Sequence, residues 1–118
     1  MRIALILPQP ETSREGRLAA KISAAMTAER HDVHLVTLPS DVCDADAVIA
    51  LPDGDPGNVR FALRIAYNAG IPAVIYSSLR GRLSELVGHS IYAQARNMEQ
   101  LVMIIRYLDS RESGAGDV

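Results

Sequence analysis

Short continuous apolar runs alternate along the chain with stretches that are apolar on one helical face only. Arg2 to Leu7 is such a run and reads as a central parallel strand, buried on both faces. The loop Pro8-Gln9-Pro10-Glu11 follows, and Thr12 with Glu15 has capping-box spacing, so a helix should start there. Leu18, Ile22, Ala25 and Met26 then share one helical face. His31 to Leu38 alternates as a second, more exposed strand, ended by Pro39-Ser40-Asp41. Asp44 to Leu51 carries the third strand, with Ala47 to Leu51 as its buried body. The loop from Pro52 to Gly57 holds the densest turn signal in the chain.

A helix is expected from about Asn58 to Ala69, packing through Val59, Ala62, Leu63 and Ala66, with Gly70 as its C′ residue. Ile71 to Tyr76 reads as a fourth buried strand, closed by Ser77-Ser78, and a short helix is expected over Arg82 to Val87. His89 to Ala93 reads as a fifth, shorter strand. Asn97 and Gln100 resemble another cap, ahead of a helix whose face is Leu101, Ile104, Ile105 and Leu108. This order predicts one three-layer α/β domain, Rossmann-like or flavodoxin-like, with a five-stranded, mainly parallel sheet and right-handed crossovers. Residues 1–109 form that domain and 110–118, polar and Gly-containing, a flexible C-terminal tail.

Either strand order puts a ligand crevice at the carboxyl ends of the strands. That rule selects the loops Pro8–Glu11, Pro52–Asn58 and Ser77–Arg80, and a crevice lined by Gln9, Asp53, Gly54, Gly57, Asn58 and Ser77. The glycines allow close approach of the backbone to a ligand, and Asn58 can cap a helix whose first amides face the crevice. Asp53 and Asp55 suit the hydroxyls of a sugar but repel phosphate, which argues against a simple phosphate cradle. Arg60 and Arg64 lie one turn apart, either as a solvated helix face or as holders of an anionic ligand.

Composition narrows the field. The chain has 118 residues, enough to bury a core without staples, and a formal net charge of −2 with no basic stripe. A nucleic-acid partner is therefore not expected. Every cation except Lys21 is arginine, which hints at a GC-rich bacterial genome. Cys43 is the only cysteine and reads as a small, buried or half-buried side chain. The opening MRIALILP is too short for a membrane span and lacks the pattern of a signal peptide, so the cytoplasm is the expected location. There is no GxGxxG after the first strand, no P-loop, and no metal-ligand spacing among His31, His34 and His89, so neither cofactor nor metal is expected.

The stretch from Asp44 to Asn58 resembles the nucleoside 2-deoxyribosyltransferase family and the related SLOG-type nucleotide-binding domains. The matching pieces are Ala50-Leu51-Pro52-Asp53-Gly54, Asp55-Pro56-Gly57-Asn58 and Ala66-Tyr67-Asn68-Ala69-Gly70-Ile71-Pro72. The resemblance implies a nucleoside or nucleotide-like ligand, and a homodimer, because the transferases assemble as oligomers. It also implies a glutamate nucleophile on the helix after the Gly loop. Counting forward from Asp55 puts Phe61 there, and counting back from Gly70 puts Ala62. No acid occurs between Asp55 and Glu85, the family's tyrosine near the first strand is missing, and so is the Pro-Gly-Gly-x-Gly-Thr loop with its glutamate. No catalytic residue is therefore assigned. Three readings stand: a ribosyl-ligand binding or sensing domain without standard glycosidase chemistry, an active deoxyribosyltransferase or N-glycosidase using Asp53 or Asp55, and a protein-interaction domain with no small-molecule site.

Overall fold

A computed structural model describes residues 1–6, 13–36, 39–51, 57–76 and 93–116. The five strands are β1 (Arg2–Ile6), β2 (Asp32–Val36), β3 (Ala47–Ala50), β4 (Ala73–Tyr76) and β5 (Ala93–Ala95). They form a single sheet in the order β2-β1-β3-β4-β5, every neighbouring pair parallel. This is the flavodoxin-like of the two expected orders. The helices are α1 (Ser13–Ala28), α2 (Gly57–Asn68) and α3 (Met98–Gly116), with a 3-10 helix over Pro39–Asp44.

The apolar runs explain the layers. A central parallel strand loses water on both faces, so β3 carries no polar residue and is buried throughout. On one face Ile3, Leu5, Ile49 and Val74 meet Ala19, Ile22 and Met26 of α1 and Leu101, Ile105 and Leu108 of α3. On the other face Ala4, Ile6, Val48, Ala50 and Ile75 meet Ala62, Leu63 and Ala66 of α2 and Val42 of the 3-10 helix. Strand β2 is the exposed edge, as its alternation predicts.

The helix ends obey their local chemistry. Gly70 takes a left-handed φ of 75°, and the amides of Gly70 and Ile71 bond the carbonyls of Tyr67 and Ala66 at 3.1 and 2.8 Å. That pair of bonds is a Schellman motif. Helix α1 ends in the same way on Arg30, at φ 68°, with Arg30 and His31 bonding Thr27 and Met26.

Several boundaries differ from the sequence reading. Residues 39–44 coil into a 3-10 helix, so Asp44 precedes β3 instead of starting it. Val42 drives this by entering the core, and Cys43, its neighbour, is thereby turned to solvent rather than buried. The described β5 begins at Ala93, where the expected strand ended. Its pairing with β4 (Val74 with Ala93, Tyr76 with Ala95) and the burial of Ala95 hold residues of low β-propensity in the sheet, and residues 89–92 of the expected strand lie outside the described residues. Helix α3 runs on to Gly116, into the segment assigned to a tail. The short helix expected over Arg82 to Val87 lies outside the described residues.

Candidate functional site

The sheet brings the carboxyl ends of β1, β3 and β4 side by side. Ile6 is the Cα partner of Ala50, and Ala50 is the partner of Ile75. The Leu51 amide donates to the Ile6 carbonyl at 3.1 Å, which ties the two central strand ends together. Between β1 and β3 the chain path reverses: the connection from β1 goes to one side of it and the connection from β2 returns to the other. Open α/β sheets bind ligands at such a switch point.

The three loops selected from the sequence therefore leave one edge of the sheet. Gln9, Asp53, Gly54, Asp55 and Ser77 lie outside the described residues. Gly57 and Asn58 begin α2, whose start follows the β3 end. Asn58 sits inside the first turn, one position past Gly57, and so is not the residue before the helix that a capping role requires. Gly57 already holds helical backbone, and this moves the helix start back by one residue.

On α2, Phe61 is 60% exposed and Ala62 is fully buried against the sheet. Neither carries a group able to attack a sugar. Arg64 is exposed, in keeping with a solvated face. Tyr76, half-buried at the carboxyl end of β4, brings a phenol to the same edge. In the sequence it stands only as the last residue of an expected strand. Its position directly before Ser77 was the available signal, because the last residue of a parallel strand stands at the crevice rim.

A concavity of about 350 Å³ lies away from this edge, beside β1, β2 and the 3-10 helix, and Arg2, His34, Asp41 and Asp44 line it. Two carboxylates against one arginine give it no preference for an anion. His34 Nε2 stands 3.1 Å from the Asp32 carboxylate on the exposed edge strand. His31 is buried and its Nδ1 accepts from the Met1 amino group at 3.1 Å. Burial lowers the His31 pKa and the neighbouring ammonium lowers it further, while Asp109 and Glu29 oppose them. Among the described residues no three His, Cys, Asp or Glu side chains come together as metal ligands. No described helix is long and apolar enough to cross a membrane.

No protein-family model matches the chain, and no curated protein matches it in sequence. Solved structures do share the fold. A 2-deoxyribosyltransferase from the psychrotolerant bacterium Bacillus psychrosaccharolyticus superposes with a TM-score of 0.72 at 14% identity, over 86% of this chain and 90% of that one. FerB from Paracoccus denitrificans, a flavoenzyme NAD(P)H:(acceptor) oxidoreductase, superposes with a TM-score of 0.54 at 17% identity, over 80% of this chain and 75% of that one.

Proposed function

We propose that the chain binds a nucleoside, a nucleotide or a related ribosyl ligand at the carboxyl ends of β1, β3 and β4, and carries out no glycosyl transfer of the glutamate type. The observation that carries this reading is a sheet that shares its fold with a 2-deoxyribosyltransferase and brings side by side the carboxyl ends of β1, β3 and β4, the strands that Gln9, Asp53–Asn58 and Ser77 follow in the sequence. Asp53 and Asp55 are the groups for the sugar, since a carboxylate accepts from hydroxyls in charge-assisted bonds. Gly54 and Gly57 let the backbone close on the ligand, and the first amides of α2 supply donors. Tyr76 adds a ring or a hydroxyl at the rim. The missing acid on α2 separates this chemistry from covalent catalysis.

The test is a thermal-shift screen with nucleosides, nucleotides, NAD-type metabolites and FMN. A ligand at a hundred times its dissociation constant stabilises the fold by about 2.7 kcal/mol. The expected result is a rise in melting temperature with ribosyl ligands that Asp53→Asn and Asp55→Asn diminish. A response to FMN alone would move the site to a flavin, which the same sheet order also accommodates at its switch point. No response to any of them would favour a protein-interaction domain.

A further inference from the structure

We propose that the open edge of β2 is a docking surface for an extended segment of a partner protein in which basic and apolar residues alternate, added to the sheet as a further strand. Strand β2 ends the sheet on one side and pairs with β1. The Asp32 amide donates to the Met1 carbonyl at 3.0 Å, which fixes the phase of that ladder. In a parallel pair alternate residues bond the same neighbour, so Asp32, His34 and Val36 turn their backbone groups to β1. Val33 and Leu35 turn theirs outward, and an outward row of N–H and C=O groups is a template for another strand.

The side chains define what that strand carries. Successive residues of a strand point to opposite faces, and so do those of a strand added beside it. On the α1 side Leu35 is the register partner of the buried Leu5, yet it is 62% exposed. An apolar side chain next to it covers it. On the other side the connection from β2 to β3 is a 3-10 helix of six residues, against sixteen in α1 and twelve in α2. It packs Val42 with Val36 in the core but leaves the concavity of about 350 Å³ beside Ala4 and His34. Asp41 and Asp44 line that concavity. Asp32 stands beside His34, its carboxylate 3.1 Å from Nε2, and the Asp46 carboxylate accepts the Arg2 amide at 2.8 Å. Four carboxylates against the guanidinium of Arg2 make this corner negative. A lysine or arginine of the added strand therefore projects past His34 towards Asp41 and Asp44. The same charge argues against a second copy of the chain as the occupant, because its β2 brings identical carboxylates to the edge. It disfavours nucleic acid for the same reason.

Fluorescence anisotropy of a labelled Lys-Val-Lys-Val-Lys-Val peptide, titrated with the full chain, tests this without any nucleotide, so its outcome is separate from that of the ribosyl reading. The controls are Lys-Lys-Lys-Val-Val-Val, which keeps the charge and loses the alternation, and Glu-Val-Glu-Val-Glu-Val, which reverses the charge. The expected result is saturable binding of the alternating basic peptide, about tenfold or more tighter than either control and weakened by salt. Replacing Asp41 and Asp44 together (Asp41→Lys, Asp44→Lys) should weaken it by about tenfold or more. Leu35→Pro removes an outward amide that the sheet itself does not use and should weaken it likewise, with Leu35→Lys in its place if circular dichroism shows a loss of fold. Hydrogen exchange should slow at the Val33 and Leu35 amides when the peptide binds. No binding of the alternating basic peptide overturns the proposal. Equal binding of either control, binding indifferent to the Asp41 and Asp44 replacements, or unchanged exchange at Val33 and Leu35 overturns it equally.

Discussion

His31 couples the fold to pH through one proton. Neutral, its Nδ1 accepts from the Met1 ammonium; protonated, it would set two cations in contact at 3.1 Å. Burial first and that ammonium second hold its pKa below the ordinary histidine value of 6.5, against the pull of Asp109 and Glu29. The unfolded chain takes up a proton as pH falls through 6.5, and the folded chain resists it. Stability present above that pH is therefore lost as pH falls from 6.5 to the lower folded value, and levels off below it. Melting curves on both sides of that value should show a larger acid loss for the wild type than for His31→Gln, which keeps an acceptor but does not titrate. Gly70 offers a purely conformational test. A Cβ built there meets nothing within 4 Å, yet its φ of 75° is left-handed. Gly70→Ala should cost about 1 kcal/mol in chemical denaturation, all of it backbone strain. This residue was legible, because a glycine closing an amphipathic run has one common use. The matching role of Arg30 was not, because an arginine in left-handed backbone leaves no mark in the sequence.

Element by element, the readable parts are those whose signal is local. The start of α3 is one. Asn97 Oδ1 accepts from the Gln100 amide at 2.9 Å, and the Gln100 side chain returns to the Arg96 amide at 2.8 Å. Asn97→Ala should lower stability by about 1 kcal/mol by thermal or urea unfolding, and Gln100→Ala by less, because it removes only the exposed return bond. The end of α3 was not readable. Ser110, Ser113 and Gly114 are poor helix formers, and the stacking of Arg111 on Tyr107 four residues back supports a turn that propensity alone would not continue. Strand β5 has a similar cause. Ala-Gln-Ala has little β-propensity, and its place comes from the β4 edge that it completes. The 3-10 helix depends on Val42 finding the core, a contact the chain order does not announce.

At the scale of the whole molecule, alternation plus the handedness of crossovers leads to a parallel five-stranded sheet, which is why its strands could be anticipated from Ile3, Ile49 and Val74 and their neighbouring runs, whereas the choice between the two compatible strand orders lies in the pairing itself. The residues of the candidate site follow less directly. Topology places their loops at one edge, but which side chain faces a ligand depends on loop conformation, and Asn58 already departs from its expected cap. Chemistry can still be read where a group is missing. The transferase mechanism that the resemblance implies needs a carboxylate on α2 near the anomeric carbon. The sequence offers Phe61, turned to solvent, and Ala62, sealed in the core, and no acid until Glu85. Loss of a covalent nucleophile commonly removes several powers of ten in rate, on the order of 4 to 8 kcal/mol of barrier. Asp53 and Asp55 precede the helix and would require a different sugar pose to replace it. Purified protein incubated with deoxynucleosides, ribonucleosides and their monophosphates should therefore release no free base above the uncatalysed rate, followed by chromatography. Robust release that Asp55→Asn abolishes and Phe61→Ala retains would overturn the binding reading and make Asp55 the nucleophile.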